Sequence, residues 1–586
     1  MHLRLAFTAL LVTATTVQAQ DMRRAAPLKG AEKSGGVPRT LPLKFEGPPT
    51  TGAITPLDLM TRLYKFADDS MMGRLAGTPW NDKGTDYIAA EVKRLGLTPA
   101  GDDGYFQHPL VSKAFADSSF IAVGGKRYAL WKDFAPRYQG DSSAKITNAQ
   151  VVFGGTWGDP PSSFLPNDEA IGKVVVIRLA KQPDGSTNYQ LVNRAQLTSR
   201  FSNAAAIAVE QLDYVPPGYV AQNYAAPSVG VKPDGEEPVR KVPPYFYVTT
   251  AVADDMLGAP LAQAKTGATG RTVDGYLHQT TGVAPGRNVL AILPGSDPKL
   301  RNEYVVIGAH DDHIGFNHEP ADHDSVKAVM MHAAPQGADS PDPKPTPEQW
   351  AKIRVTLDSL RRLHPARMDS IYNGADDDGS GSVGLLEIAE RFATASVKPK
   401  RSIIFAWHVG EEEGMLGSGF FTDHPTVKRD SIVAELNIDM IGRGKATDAT
   451  GEDKGGKLLH GGPGYLQLIG SRRLSTELGN MVESVNKRDK LGLKFDYALD
   501  ANGHPQNIYC RSDHWSYARW GIPIVFFTTG GHADYHQVTD EPQYIDYDHM
   551  TTVARLIHAT AVDVANLGHR VAVDQPKPDP HGDCRQ

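Results

Sequence analysis

The stretch Tyr304-Val305-Val306-Ile307-Gly308-Ala309-His310-Asp311-Asp312-His313 decides how this chain is read. A short apolar run, rich in β-branched residues, predicts a buried strand. It passes without a spacer into imidazoles and carboxylates. The same change recurs downstream. The apolar run 402–407 meets His408-Val409-Gly410-Glu411-Glu412-Glu413-Gly414, the run 433–438 ends at Asp439, and 522–527 leads to Asp534-Tyr535-His536. Asp376-Asp377-Asp378 stands at the entry to a helix expected over 384–392, where Leu385, Ile388, Ala389 and Phe392 share a face. With another strand-like run at 288–293, strands and helices alternate. That pattern predicts an α/β fold, a mainly parallel or mixed sheet sandwiched by helices. In such sheets ligands bind beyond the carboxyl ends of the strands, where these polar clusters fall. Each cluster alone is weak, since Glu runs are usually solvated and Asp-rich turns bond their own backbone. Their repetition at one end carries the argument.

Outward from that core the pattern changes. A helix is expected from Pro56, with Leu57, Met60 and Leu63 on one face. A second opens at Thr78-Pro79, carries Tyr87, Ile88, Val92 and Leu95, and closes at Gly96. Residues 145–268 hold short β-type runs at 150–153 and 174–177, with Gly and Pro between them, and read as an inserted, mostly β module. Residues 316–368 are polar, rich in His, Asp and Pro, with a helix expected over 347–363. An insertion of that length belongs near a functional site. The chain then divides into 1–19, an extended segment 20–55, the first part of the main domain at 56–144, the module at 145–268, the main domain proper at 269–567, and a tail at 568–586.

Composition sets outer limits. A chain of 586 residues exceeds one core. Its net charge of −7, with no basic stretch, excludes nucleic acid as an expected partner. Met1-His2-Leu3-Arg4, an apolar run over 5–12 and Val17-Gln18-Ala19 predict a secretory signal peptide cleaved after Ala19, hence export to the periplasm or medium. No later segment is apolar enough to span a bilayer. Cys510 and Cys584 either pair and pin the tail or remain thiols, and both readings stand. Two cysteines cannot build a cysteine-rich zinc site, so any metal must use imidazole and carboxylate. Gly379-Ser380-Gly381-Ser382-Val383-Gly384 matches the dinucleotide pattern, but the three aspartates before it would repel a pyrophosphate.

In order along the chain, His310-x-Asp312, Asn373-Gly374-Ala375-Asp376-Asp377, Glu411-Glu412-x-Gly414, Asn437-Ile438-Asp439 and Tyr535-His536 resemble the motifs of the di-zinc aminopeptidases and glutamate carboxypeptidases. Ser512-Asp513-His514 and Gly521-Ile522-Pro523 extend the match, which covers about 56 to 565. The 145–268 module looks like the protease-associated domain often inserted in these enzymes. The resemblance implies a zinc exopeptidase fold and two Zn2+ per chain. His310 and Asp439 would bind one ion, Glu412 and His536 the other, and Asp377 would bridge them. It also implies that Asp312 orients His310, Glu411 is the general base, and Tyr535 donates to the oxyanion. His313 and His532 lie near these positions; His536 is preferred because it follows Tyr535 in the family's order. The interval from His310 to Asp377 is longer than the family's usual one.

The expected function is a metallo-aminopeptidase acting on small or unfolded peptides. The alternatives are a carboxypeptidase or dipeptidase of the same fold, a receptor-like relative without catalysis, and a cyclase using one zinc. Arg443 and Arg511 are candidate clamps for a substrate carboxylate, or ordinary ion-pair residues.

Overall fold

A computed structural model describes residues 41–137, 143–181, 187, 193–216, 218–232 and 242–586. The expected signal peptide at 1–19 lies outside the described residues, as does the extended segment up to residue 40. Among the described residues no helix is long and apolar enough to cross a membrane.

The main domain is built on a nine-stranded mixed sheet. Its principal strands are β1 (Asn288–Leu293), β2 (Tyr304–His310), β3 (Ser402–His408), β4 (Ile432–Ile438), β5 (Tyr465–Ile469), β6 (Lys494–Asp496) and β7 (Ile524–Thr528). The order is β1-β3-β2-β4-β7-β5-β6, with Thr98–Pro99 and Phe106–Gln107 pairing against β1. The four strands β3, β2, β4 and β7 run parallel at the centre. Parallel strands are covered on both faces, which explains why β2, β3 and β7 read as largely apolar runs, while β4 carries the buried polar residues Glu435 and Asn437. In register, His310 pairs with His408, Gly308 with Asn437, and Ile438 with Phe527. The strands therefore end together, and the loops beyond them gather at one edge.

Two apolar cores flank this sheet. One face is covered by α1 (Pro56–Phe66), α2 (Pro79–Arg94), α5 (Gly381–Thr394) and α6 (Tyr547–Asn566). Pro56 opens α1, where the Thr55 side chain accepts from the Asp58 amide, a start the sequence signals directly. The segment 316–368 is ordered: Phe316–Asp322 pairs with Met368–Ile371, and between them run α3 (His323–Ala333) and α4 (Pro347–Leu363). A capping box between Thr346 and Gln349 starts α4.

A separate eight-stranded sheet forms the inserted module. It takes in Ala144–Trp157, Val174–Leu179, Ala206–Glu210 and Tyr245–Val248. It also recruits Phe120–Val123, Lys126–Tyr128, Phe134–Arg137 and Thr269–Leu277, which reach beyond 145–268 on both sides.

Candidate metal centre

Each donor arrives from the carboxyl edge of the central sheet. His310 ends β2, Glu411 and Glu412 lie in the loop after β3, and Asp439 follows β4. Asp377 comes from the turn before α5, and His536 from the loop after β7.

The donors form two adjoining groups that share Asp377. In the first, His310 Nε2 lies 3.2 Å from Asp377 Oδ1 and 3.7 Å from Asp439 Oδ1. In the second, His536 Nε2 lies 2.9 Å from Asp377 Oδ2 and 3.0 Å from Glu412 Oε2. His313, passed over in favour of His536 in the sequence, stands in this second group with its Nδ1 2.7 Å from Glu412 Oε1. His532 does not join: its Nε2 faces Asp376 Oδ2 at 3.2 Å, and its Nδ1 accepts from the Asp534 amide.

The donor set fits divalent cations. His310 Nε2, Asp377 Oδ2 and His536 Nε2 are buried without a hydrogen-bond partner, a costly state for polar atoms. Burial opposes charge on His310, yet Asp312, Asp377 and Asp439 outweigh it and hold its pKa well above the usual imidazole value. The centre is short of positive charge. Buried imidazole and carboxylate donors without thiolate suit zinc, manganese or cobalt.

The three consecutive aspartates divide the work of holding this centre. Asp376 Oδ1 accepts from the Gly442 amide at 2.6 Å. Asp377 faces both groups, and the Asp377–Asp378 peptide is cis. Asp378 staples strand ends, its carboxylate accepting from the His310 amide at 3.2 Å and the Met440 amide at 3.1 Å. Asp540 Oδ2 in turn accepts from the amides of Asp376 and Asp377, at 2.9 and 3.2 Å. Arg74 is fully buried and donates to the carbonyls of Asn373 and Gly374, at 2.7 and 3.0 Å. Burial lowers the Arg74 pKa to about 10 against the pull of Asp312 and Asp377, so the guanidinium stays charged and offsets the acids. No sequence signal marks Arg74 or Asp540, since each acts by approach in space.

Asp312 Oδ1 lies 3.6 Å from His310 Nδ1, beyond hydrogen-bond length, and accepts from the Glu411 amide at 3.1 Å. Glu411 belongs to neither donor group. Burial lifts its pKa well above the usual carboxyl range; His310 lowers it, while Asp439 and Glu412 add repulsion.

A cavity of about 80 Å³ opens beside Asp439. Its wall includes Met440, Leu499, Ile508, Phe526 and Tyr535. The insertion closes one side through Asp339, which pairs both carboxylate oxygens with Arg511, each at 2.9 Å. Arg443 is buried against Asp534, which Lys327 of α3 also contacts at 2.5 Å. Both arginines singled out as clamps thus already hold a carboxylate.

Residues 288–561 match the sequence profile of Peptidase family M28. Leucine aminopeptidase 1 of Coccidioides posadasii is 30% identical over 224 residues, covering 36% of this chain and 52% of that protein. Leupeptin-inactivating enzyme 1 of Streptomyces exfoliatus is 25% identical over 205 residues, 34% of this chain and 40% of that protein. The chain thus spans about half the length of these curated relatives or less. Among solved structures, BSAP, a zinc aminopeptidase from Bacillus subtilis, aligns with a TM-score of 0.42 and 16% identity over 90% of this chain and 96% of its own. The match to Peptidase family M28 thus spans residues 288–561, the stretch that carries all of these metal donors.

Proposed function

We propose that this chain is an exported metallo-aminopeptidase that removes N-terminal residues from peptides with two zinc ions. The observation that carries the reading is Asp377, one carboxylate whose two oxygens face two separate donor groups. Residues His310 and Asp439 would hold one ion with Asp377, and Glu412 and His536 the other. The bound cations would supply a Lewis acid for the scissile carbonyl and a water of lowered pKa. Glu411 would serve as the general base toward an attacking water and would pass the proton on to the leaving amine; a carboxyl whose pKa is raised by burial suits this exchange. Asp312 fixes the Glu411 backbone for that task. Tyr535 stays protonated, because burial and then the charges of Asp377 and Glu412 hold its pKa well above the phenol value. Its hydroxyl serves as a donor to the developing oxyanion. The apolar wall of the cavity beside Asp439 accepts one aliphatic side chain. Relatives named leucine aminopeptidase support that preference.

The carboxypeptidase reading draws no support from Arg443 or Arg511, since a carboxylate clamp needs an uncommitted cation. The 145–268 module, likened by sequence to a protease-associated domain, supplies no residue to the donor groups among the described residues. The test is hydrolysis of Leu-initiated peptides with free, N-acetylated and C-amidated ends. Cleavage should need the free amine, tolerate the amide, and vanish with a chelator. Glu411→Gln should retain metal and lose about 10²–10⁴ in kcat. Cleavage of the N-acetylated peptide at the same rate would overturn the aminopeptidase assignment.

A further inference from the structure

The two donor groups are unequal. His310, Asp377 and Asp439 make three, whereas His313, Asp377, Glu412 and His536 make four. His313 Nδ1 and His536 Nε2 take one oxygen each of the Glu412 carboxylate, at 2.7 and 3.0 Å. Both also face Asp377 Oδ2, at 3.7 and 2.9 Å. The two rings meet nearly edge to face, with centroids 5.3 Å apart and planes at 77°. Two imidazoles therefore converge on the same pair of carboxylates from different directions, as ligands around one ion do.

The fold holds His313 in place. Its side chain is fully buried, and its amide donates weakly to the Arg74 carbonyl at 3.4 Å. Gly374 makes room for the ring: its φ is +54°, and a Cβ there would stand 2.6 Å from His313 Cγ and Cδ2. Only glycine combines that backbone with that proximity. An imidazole packed so tightly cannot swing out to solvent and leave the group.

We propose that His313 is a fourth protein ligand to the cation held by Asp377, Glu412 and His536. This rests on the two-ion reading above. Four protein donors close a tetrahedral site, whereas three leave an open position. The His313 site is then the tighter member of the pair, and the His310–Asp377–Asp439 site is the one with more room for water or substrate.

The experiment is titration of metal-depleted protein with Co2+, followed by calorimetry and by visible absorption, which reports the coordination of each ion. Two Co2+ should bind in steps at least tenfold apart in affinity. His313→Ala should weaken the tight step by about a hundredfold or more, beyond the ~10–100-fold typical of groups that only orient ligands. It should also change the visible band of the first ion and spare the second. His313→Asn keeps a polar atom near the Nδ1 position and serves if the alanine variant fails to fold; the unfolding midpoint of metal-free protein decides that. A band unchanged in the variant tested would reduce His313 to a hydrogen-bond partner of Glu412 and overturn the proposal. A parent protein binding a single Co2+ would overturn the two-ion reading, and the band would still decide whether His313 ligates that ion. A parent protein binding none overturns both.

Discussion

Ser512 Oγ donates to Asp439 Oδ2 across 2.8 Å while accepting from Asn437 Nδ2 at 2.9 Å. Because the Asn437 amide can only donate, it commits the hydroxyl proton to Asp439. All three residues are buried. Ser512 thus aims a carboxylate of the three-donor group without touching the reacting atoms. Ser512→Ala should lower affinity for the weaker ion by about 10–100-fold, as lost orienting contacts do. The four-donor site should be unaffected and the fold intact. Calorimetric titration of the metal-free variant checks this, and equal affinities for both ions in variant and parent would dismiss the role.

Arg74 makes a second prediction, on stability. Its guanidinium joins the carbonyls of Asn373 and Gly374 to that of Phe66, at 3.2 Å. It thereby ties the turn carrying Asp377 to the end of α1. Arg74→Met would leave the Phe66 and Asn373 carbonyls without this partner, at about 1–3 kcal/mol each, while the Gly374 carbonyl keeps the Gly379 amide at 3.1 Å. It would also strip the acids of a buried counter-charge. Urea unfolding of the metal-free protein should show a loss of at least about 3 kcal/mol. A variant within about 1 kcal/mol of the parent would mean that water or a backbone shift replaces those bonds.

The contrast between these residues shows what could be read in advance. His310 and Asp439 stood out because each stands at the carboxyl end of a largely apolar central strand, and Glu412 because it lies in the acidic run just beyond another. The insertion helix was expected over 347–363, and the structure places it there, started by the Thr346–Gln349 capping box. Strands β5 and β6 were not singled out, since β6 spans only three residues, too few to carry a period. The module's sheet outran 145–268 because Phe120–Val123 and Lys126–Tyr128 are as short and lie among turns. His313 was visible beside His310, but motif order alone could not show that its ring turns back toward Glu412. Arg74, Asp540 and Ser512 act across the fold, and nothing in their local sequence records their partners.

A third prediction concerns pH. Glu387 on α5 is fully buried, with its carboxylate 2.9 Å from Arg62 Nε. Arg62 is shared, since Glu91 lies 2.7 Å from it and Glu390 also contacts it. Burial therefore outweighs the pull of Arg62 and raises the Glu387 pKa to about 7, with Asp58 and Glu390 adding repulsion. A folded-state pKa above the unfolded value means that the native state binds the extra proton. Its stabilising effect is full below about 4.5 and is lost as pH rises through 7. Glu387→Gln, which mimics the protonated form, should gain thermal stability relative to the parent as pH rises from 5 to 8. The full swing is on the order of 3 kcal/mol. A Tm difference that stays flat across this range would place Glu387 in its charged form throughout.

The cavity beside Asp439 supports a last prediction, on specificity. Cys510 and Cys584, 74 residues apart, form a disulfide, which decides between the two readings left open by the sequence. The bond holds the tail against the segment 499–509. Gln586 receives the Gly503 amide at 2.8 Å and the Tyr509 amide at 2.9 Å, and its side chain donates to the carbonyls of Leu499 and Ala501. Leu499 and Ile508 of that segment line the cavity. The disulfide therefore braces a wall of the proposed side-chain pocket and touches none of the metal donors. Replacing both cysteines by serine should cost about 2–4 kcal/mol, in line with bonds that close long loops. A loosened wall should raise KM for Leu-initiated peptides several-fold and leave kcat within about twofold, because binding is lost equally in ground and transition states. Mild reduction of the parent should reproduce both effects. A matching fall in kcat with KM unchanged would instead link the tail to the metal centre.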